Sequence, residues 1–109
     1  MPSYSRGEVI LVRFPFSDLS AAKVRPAIVV NTPHVSRDVF AVPLTSKTDS
    51  LLEGEFVLAD WKTAGLNVAS AVKPGVYTFH HQLIARSIGS LSKPDVDQVN
   101  LALRGWLGF

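Results

Sequence analysis

The sequence contains no cysteine, which excludes disulfide scaffolds, thiolate metal sites and cysteine nucleophiles. It also lacks an apolar run near the roughly 18 residues that a transmembrane helix needs. The N-terminal residues MPSYSRG contain no apolar segment of the kind found in secretory signals. We therefore expect a cytoplasmic protein that does not associate with a membrane.

Charge is scarce as well. Charged residues make up 18% of the chain, and 11 basic against 9 acidic residues give a formal net charge of +2. This excess is far below that of a nucleic-acid packaging protein. A protein of this composition that binds nucleic acid must therefore concentrate its cations locally.

What is present is enough for one folded unit. The 109 residues, 47% of them hydrophobic, suffice for one core but not for two, so we treat residues 1–109 as a single domain. Short apolar or alternating segments, separated by turn residues, predict a mainly β protein built as a small barrel or sandwich. The predicted strands cover residues 8–13, 26–31, 39–45, 55–59, 68–72 and 76–79.

The end of the chain has helical periodicity. Ser92 and Asp95 have the spacing of a capping box, and Pro94 between them falls in the first turn, where proline is tolerated. Apolar residues then recur at helical spacing, at Val96, Val99, Leu103 and Trp106. We predict an amphipathic helix over 93–107, and shorter helical turns near 60–64 and 80–85.

Two polar segments, 15–24 and 46–54, are longer than the two to five residues of a usual hairpin connection. The segments GEVILVRFPFSD (7–18), KVRPAIVV (23–30) and VPLTS (42–46) surround these loops, and IGSLS (88–92) precedes the helix. In this combination and order they resemble the MazF/PemK family of toxin ribonucleases from toxin–antitoxin modules.

The resemblance implies a fold, an activity and a set of partners. The fold would be a small SH3-like β-barrel with a C-terminal amphipathic helix, assembled as a homodimer with RNA across the dimer face. The activity would be sequence-selective cleavage of single-stranded RNA, chiefly mRNA, with no metal or other cofactor, leaving a 2′,3′-cyclic phosphate and a 5′-hydroxyl. The partner would be a small antitoxin whose disordered tail covers the RNA groove. Operator DNA would be contacted only through the antitoxin complex.

The same resemblance implies Arg25 and Thr45 as the catalytic pair. A guanidinium and a hydroxyl suit this chemistry, because charge accumulates on the non-bridging phosphate oxygens as the ribose 2′-hydroxyl attacks phosphorus. Residues expected to contact RNA lie in the two loops, at Phe16, Ser17, Lys23, Ser46 and Lys47, and in the later turn that begins at Lys73.

The sequence does not assign the residues that transfer protons in this reaction. Arginine stays protonated near neutrality and is a poor acid there. Some family members have an arginine and an aspartate late in the sheet, where this chain has Lys73 and Gly75 and no carboxylate. Histidine exchanges protons near neutral pH, so His80 and His81 are candidates for acid or base, although the family motif places no histidine there. A catalytically weak SH3-like module that binds RNA or an antitoxin peptide without cleaving it remains the alternative.

Overall fold

The computed structural model describes residues 4–14, 23–33 and 37–109. In this part of the chain one antiparallel sheet is followed by a C-terminal helix. No helix there is both long enough and apolar enough to span a bilayer. The strands are β1 (Glu8–Phe14), β2 (Lys23–Val29), β3 (Val39–Thr45), β4 (Phe56–Val57), β5 (Ala71–Val72), β6 (Tyr77–Phe79) and β7 (Ile84–Ser90), and the helix is α1 (Lys93–Leu107).

The strands are ordered β4-β5-β3-β2-β1-β7, with β6 also paired to β3. The outer edge of β3 is divided, because β6 pairs with its first half and β5 with its last two residues. Pro43, which has no N–H to donate, lies where one partner gives way to the other. Its carbonyl oxygen accepts a hydrogen bond from the backbone N–H of Lys73, at 3.0 Å.

The expected mainly-β fold with a terminal helix is confirmed, but the sheet is not closed into a barrel. Among the described residues, β4 and β7 end the strand order and no ladder joins them. Closing a barrel requires continuous pairing around the whole circumference. Because β4 and β5 are only two residues long, this end of the sheet is too small to supply it.

Both faces of the sheet are buried. Val9 and Ile10 are adjacent in β1 and point to opposite faces, yet both are fully buried. This is why β1 is a continuous apolar run in the sequence rather than an alternating one. One core cluster lies on the α1 side and contains Val9, Ile28, Val42, Leu44, Leu58, Ala64, Val72, Val99 and Leu103. The opposite cluster contains Ile10, Val12, Ala27, Val29, Val39, Ala41, Phe79 and Ile84.

Strand β7 was not predicted. The sequence predicted a helical turn over 80–85, whereas the structure has a short 3-10 turn at His81–Leu83 and then a strand. Exposed polar residues such as Arg86 and Ser87 interrupt the apolar pattern of this strand. Its register with β1 also shifts at two points, so the alternation of inward and outward residues is not regular.

Helix α1 has the predicted bounds, but the predicted capping box is wrong. Ser92 occupies the N-cap without a side-chain cap hydrogen bond, and its buried Oγ has no partner among the described residues. The fully buried carboxylate of Asp95 instead accepts hydrogen bonds from the backbone N–H groups of Ala59, at 2.8 Å, and Asp60, at 2.9 Å. Asp95 therefore ties α1 to the segment 59–65, which is a run of turns and not the short helix predicted over 60–64.

The same segment touches β7 through two glycines. A Cβ atom at Gly65 would collide with the carbonyl oxygen of Ile88, and one at Gly89 would collide with the carbonyl oxygen of Ala64. Gly65 also has a φ of +91°, a conformation that glycine adopts without steric cost. The absence of both side chains lets the two backbones make direct contact and holds segment 59–65 against β7.

We expect Gly89→Ala to lower the free energy of unfolding by about 1–3 kcal/mol, because one of the two backbones must shift to admit the methyl group. Gly105→Ala is the matched control, since nothing lies within 4 Å of the Cβ position at Gly105 in α1. Alanine there should raise helix stability by about 0.5–1 kcal/mol. Urea unfolding followed by far-UV circular dichroism measures both changes, and equal effects would contradict the close approach at Gly89.

Candidate active site

The ends of β2 and β3 bring Arg25 and Thr45 together. In this antiparallel pair Ala27 lies opposite Pro43. Because side chains alternate along a strand, continuing this register by two residues sets Arg25 opposite Thr45 on the same face. Arg25 is exposed and Thr45 is half-buried. The two residues predicted as a catalytic pair are therefore neighbours in space.

Two clefts meet at this pair. The first cleft has a volume of about 330 Å³ and lies between β7 and the segment 65–70, with Arg25, Thr45, Ser46, Asn67, Ser70 and Arg86 as its polar lining. The second cleft, of about 360 Å³, is lined by Arg25, Thr45, Lys47, Lys73 and Tyr77 together with Pro43, Leu44 and Pro74. Arg25, Leu44 and Thr45 belong to both and form the boundary between them.

The charge around this boundary is positive. Arg86 adds a second guanidinium to the first cleft, and Lys47 and Lys73 add two ammonium groups to the second. No aspartate or glutamate is among the described residues that line either cleft. The side chains of Arg25 and Arg86 form no hydrogen bond or ion pair with another described residue. Cations in a cleft that have no counter-ion among the described residues raise the local concentration of anions.

The hydroxyl of Thr45 is oriented by its own turn. Its Oγ1 accepts a hydrogen bond from the backbone N–H of Lys47, at 3.2 Å. A hydroxyl that accepts one such bond can still donate its hydrogen to another group. Thr45 can therefore donate to an anion bound beside the Arg25 guanidinium.

The other predicted site residues are distributed unevenly. Ser46 lines the first cleft, while Lys47 and Lys73 line the second. Phe16 and Ser17 lie outside the described residues, and so does the side chain of Lys23.

The two predicted histidines line neither cleft. The rings of His80 and His81 stack on one another, with 4.3 Å between their centroids. The Nδ1 atom of His80 accepts a hydrogen bond from the backbone N–H of Gln82, at 3.3 Å. These contacts give His80 a local structural role as the N-cap of the 3-10 turn.

Four polar lining residues were missed by sequence reasoning. Arg86 lies on the unpredicted strand β7, Asn67 and Ser70 lie between the turn segment and β5, and Tyr77 lies on β6. The available signal for Arg86 was a lone arginine between Ile84 and Ile88 in an otherwise apolar and small-residue run. Nothing in the local sequence of Asn67 or Tyr77 distinguishes either from an ordinary surface residue.

The side chains at the two clefts are those that bind anions. Guanidinium, ammonium, hydroxyl and amide groups all donate hydrogen bonds, and the charged ones do so most strongly. Over residues 4–14, 23–33 and 37–109, no three histidine, aspartate or glutamate side chains converge as ligands for a metal ion. The arrangement can therefore hold a phosphate group at the boundary between the clefts.

Comparison with solved structures finds the same fold. MazF from Deinococcus radiodurans superposes with a TM-score of 0.77 at 19% identity, covering 100% of both chains. An endoribonuclease from Mycobacterial species, solved in complex with its cognate antitoxin, gives a TM-score of 0.75 at 18% identity, covering 100% of this chain and 97% of that one. The Mycobacterium tuberculosis toxin MazF-mt6 gives 0.72 at 20% identity, covering 94% and 97%.

The sequence itself also identifies the family. A search of curated protein sequences gave no significant match. A family model, in contrast, matches residues 5–107 and is described as the PemK-like, MazF-like toxin of type II toxin–antitoxin systems. This match spans every strand and the helix, and it confirms the resemblance carried by the segments around Arg25 and Thr45. The chain belongs to the PemK-like, MazF-like toxin family of type II toxin–antitoxin systems.

Proposed function

We propose that this protein is an endoribonuclease toxin that cleaves single-stranded RNA where its two clefts meet. The observation that supports the proposal is the position of Arg25 beside Thr45, between two cationic clefts whose described lining has no carboxylate. A phosphodiester chain carries one negative charge per nucleotide. Cations placed in both clefts, on either side of Arg25, can therefore bind successive phosphates of one chain. The first cleft holds the chain on one side of the cut and the second cleft holds it on the other.

The reaction is an internal transesterification. The ribose 2′-hydroxyl loses its proton to solvent water as its oxygen attacks the adjacent phosphorus. The O2′–P bond forms, the P–O5′ bond breaks, and the leaving 5′-oxygen takes up a proton from solvent water. The products are a 2′,3′-cyclic phosphate and a 5′-hydroxyl. Arg25 stabilises the charge that develops on two non-bridging oxygens, because its guanidinium is a rigid fork of donors. Thr45 donates its hydroxyl hydrogen to one of the same oxygens. In this scheme these donors provide the charge stabilisation without a metal ion.

The partners follow from the charge of the same surface. A homodimer presents the pair of clefts twice, with RNA across the dimer face. A small cognate antitoxin, as found with the Mycobacterial relative, inhibits the enzyme by laying an acidic, disordered tail over the clefts in competition with RNA. Operator DNA is bound only through the antitoxin complex. The protein acts in the cytoplasm on mRNA.

One observation favours the alternative of a binding module. Neither cleft has a carboxylate or an imidazole among its described lining residues, so no general base for the 2′-hydroxyl stands next to Arg25 there. General acid–base catalysis typically contributes a factor of about 10²–10⁴. A protein that binds RNA or an antitoxin peptide and cuts slowly would have this lining.

The test uses purified protein and a random-sequence single-stranded RNA in the presence of EDTA. We expect internal cuts whose fragments carry a 5′-hydroxyl and a 2′,3′-cyclic phosphate. The 5′-hydroxyl is detected because a polynucleotide kinase phosphorylates it directly. The cyclic phosphate is detected because it resists a phosphatase that removes ordinary terminal phosphates. A pool in which 2′-fluoro replaces every 2′-hydroxyl should remain intact, because the nucleophile is missing. Cleavage of that pool would contradict the mechanism. Cleavage that stops in EDTA and returns with Mg²⁺ would contradict metal independence. RNA that is retained in a gel shift but left uncut supports the binding module.

A further inference from the structure

Arg86 is a cation without an assigned task in the proposed reaction. It lies on β7 opposite Leu11 of β1, and Leu11 in turn lies opposite Pro26 of β2. The backbone of Arg86 is therefore two strand spacings from β2, about 10 Å. Its side chain is exposed, lines the first cleft, and has no hydrogen bond or ion pair with another described residue. At this distance from β2, Arg86 suits a neighbouring phosphate rather than the one at Arg25.

Segment 65–70 lines the same cleft as Arg86 and carries the amide side chain of Asn67 between two apolar residues. The side chain of Asn67 is exposed and forms no hydrogen bond with another described residue, so no described group occupies its donor or its acceptor. Leu66 and Val68 flank it and also line the cleft. Val68 is 54% exposed, which leaves an aliphatic surface that a flat ring could cover.

The wall that carries Asn67 is held rigidly in place. Gly65 touches β7 by direct backbone contact, and Asp95 accepts two hydrogen bonds from the turn immediately before. Recognition groups that are held in position before binding cost less to order when the ligand arrives. The backbone position of segment 65–70 relative to β7 is thus set by the fold and not by the ligand.

The size of the first cleft limits what it holds. Ligand clefts usually measure about 300–1,000 Å³, and this one, at about 330 Å³, is at the small end. That volume is suited to a single nucleotide. Single-stranded RNA offers unstacked bases whose edges can be read by hydrogen bonds and whose faces pack on side chains.

We infer that the first cleft is a base-reading subsite for one nucleotide beside the cut, with Arg86 binding its phosphate and Asn67 hydrogen-bonding the edge of its base. The base packs on Leu66 and Val68. This subsite makes one position of the cleavage sequence selective. The inference rests on the proposed function, because it takes the RNA to lie across Arg25.

Binding is measured on the full chain with a random-sequence RNA pool in which 2′-fluoro replaces each 2′-hydroxyl, so cleavage does not interfere. Arg86→Gln should weaken binding at low salt by about tenfold. It should also reduce the slope of log affinity against log salt by about 0.7, as expected for the loss of one phosphate contact. Arg104→Gln, on the exposed face of α1, is the matched control and should change neither quantity.

Asn67→Ala should retain most of the affinity, and its effect should fall on the sequences selected from the same pool. The wild type should enrich one base at one position by at least about fivefold. Asn67→Ala should lose that enrichment and keep the other positions, while Gln98→Ala on α1 should keep all of them. Because Asn67 and Arg86 are exposed, thermal unfolding of both variants should match the wild type.

The outcomes separate this inference from the proposed function. If Arg86→Gln behaves as Arg104→Gln does, or if Asn67→Ala retains the wild-type base preference, the subsite is wrong, whether or not the enzyme cuts RNA. If the wild type selects a base through Asn67 but leaves ordinary RNA intact, the endoribonuclease proposal fails and the subsite stands. Failure of the wild type to bind the pool overturns both.

Discussion

An Arg25→Ala variant should cleave RNA about 10²–10³-fold more slowly than the wild type, the usual cost of removing one donor from a site that stabilises developing oxyanion charge. Arg25 is exposed at the boundary of the two clefts and has no described ion-pair partner. The loss should therefore appear in the chemical step and not in folding. Single-turnover cleavage of a short RNA at saturating protein measures that step directly.

Two further variants make the Arg25 result specific. Arg25→Lys keeps the positive charge but loses the planar fork of donors, so it should recover binding more than rate. Arg104→Ala, which removes an exposed arginine on α1, should leave the rate unchanged. Full activity of Arg25→Ala would remove Arg25 from the catalytic role. Full activity of Arg25→Lys would show that charge alone is sufficient.

An Asp95→Ala variant should lower the free energy of unfolding by about 2–4 kcal/mol. The Asp95 carboxylate is fully buried and holds the backbone N–H groups of Ala59 and Asp60 at 2.8 and 2.9 Å. Hydrogen bonds to a charged acceptor are worth more than neutral ones, and removing the acceptor leaves two partly buried donors without a partner. Urea denaturation of the purified variant gives the change in unfolding free energy.

The control for Asp95 lies two residues further along the same helix. Asp97 is 57% exposed and pairs with Lys93 at 3.2 Å in an i,i+4 arrangement. Exposed pairs of this kind contribute about 0.3–0.5 kcal/mol, so Asp97→Ala should have a much smaller effect than Asp95→Ala. If the two substitutions cost the same, the structural role of Asp95 is not the one described. Asp95→Asn should fall between them, because it keeps one acceptor oxygen and turns an N–H₂ group toward a backbone donor.

The strands that could be predicted from sequence are those with a long apolar run of their own. Residues 8–13 and 39–45 are apolar runs long enough to reach both cores, and β1 and β3 cover them within one residue. β2 begins three residues before its predicted start, because residues 23–25 also pair with β1. The segments 55–59 and 68–72 shorten to two paired residues each, which pair with each other, and β5 also pairs with the last two residues of β3.

Two interactions of the C-terminal half could not be derived from local pattern. The spacing of Ser92 and Asp95 fits a capping box, yet Asp95 is bound by backbone donors more than thirty positions away in sequence. Strand β7 is a strand because β1 pairs with it, and its exposed polar residues conceal that pairing. A backbone partner that is distant in sequence does not change the pattern of apolar and polar residues in a segment. For this reason the capping box at Asp95 and the helical turn over 80–85 were predicted wrongly.

By itself, the sequence determined the mainly-β class, the terminal helix and the family. It also predicted Arg25 and Thr45 as a catalytic pair through the segments that flank them. Each of these features depends on the type and spacing of residues within a short segment of the sequence. Only the tertiary structure decided that the sheet stays open, that two clefts meet at this pair, and that Arg86 and Asn67 line the same one of them. These arrangements depend on how strands that are distant in sequence pair with one another. The register of that pairing decides which side chains line a common cleft.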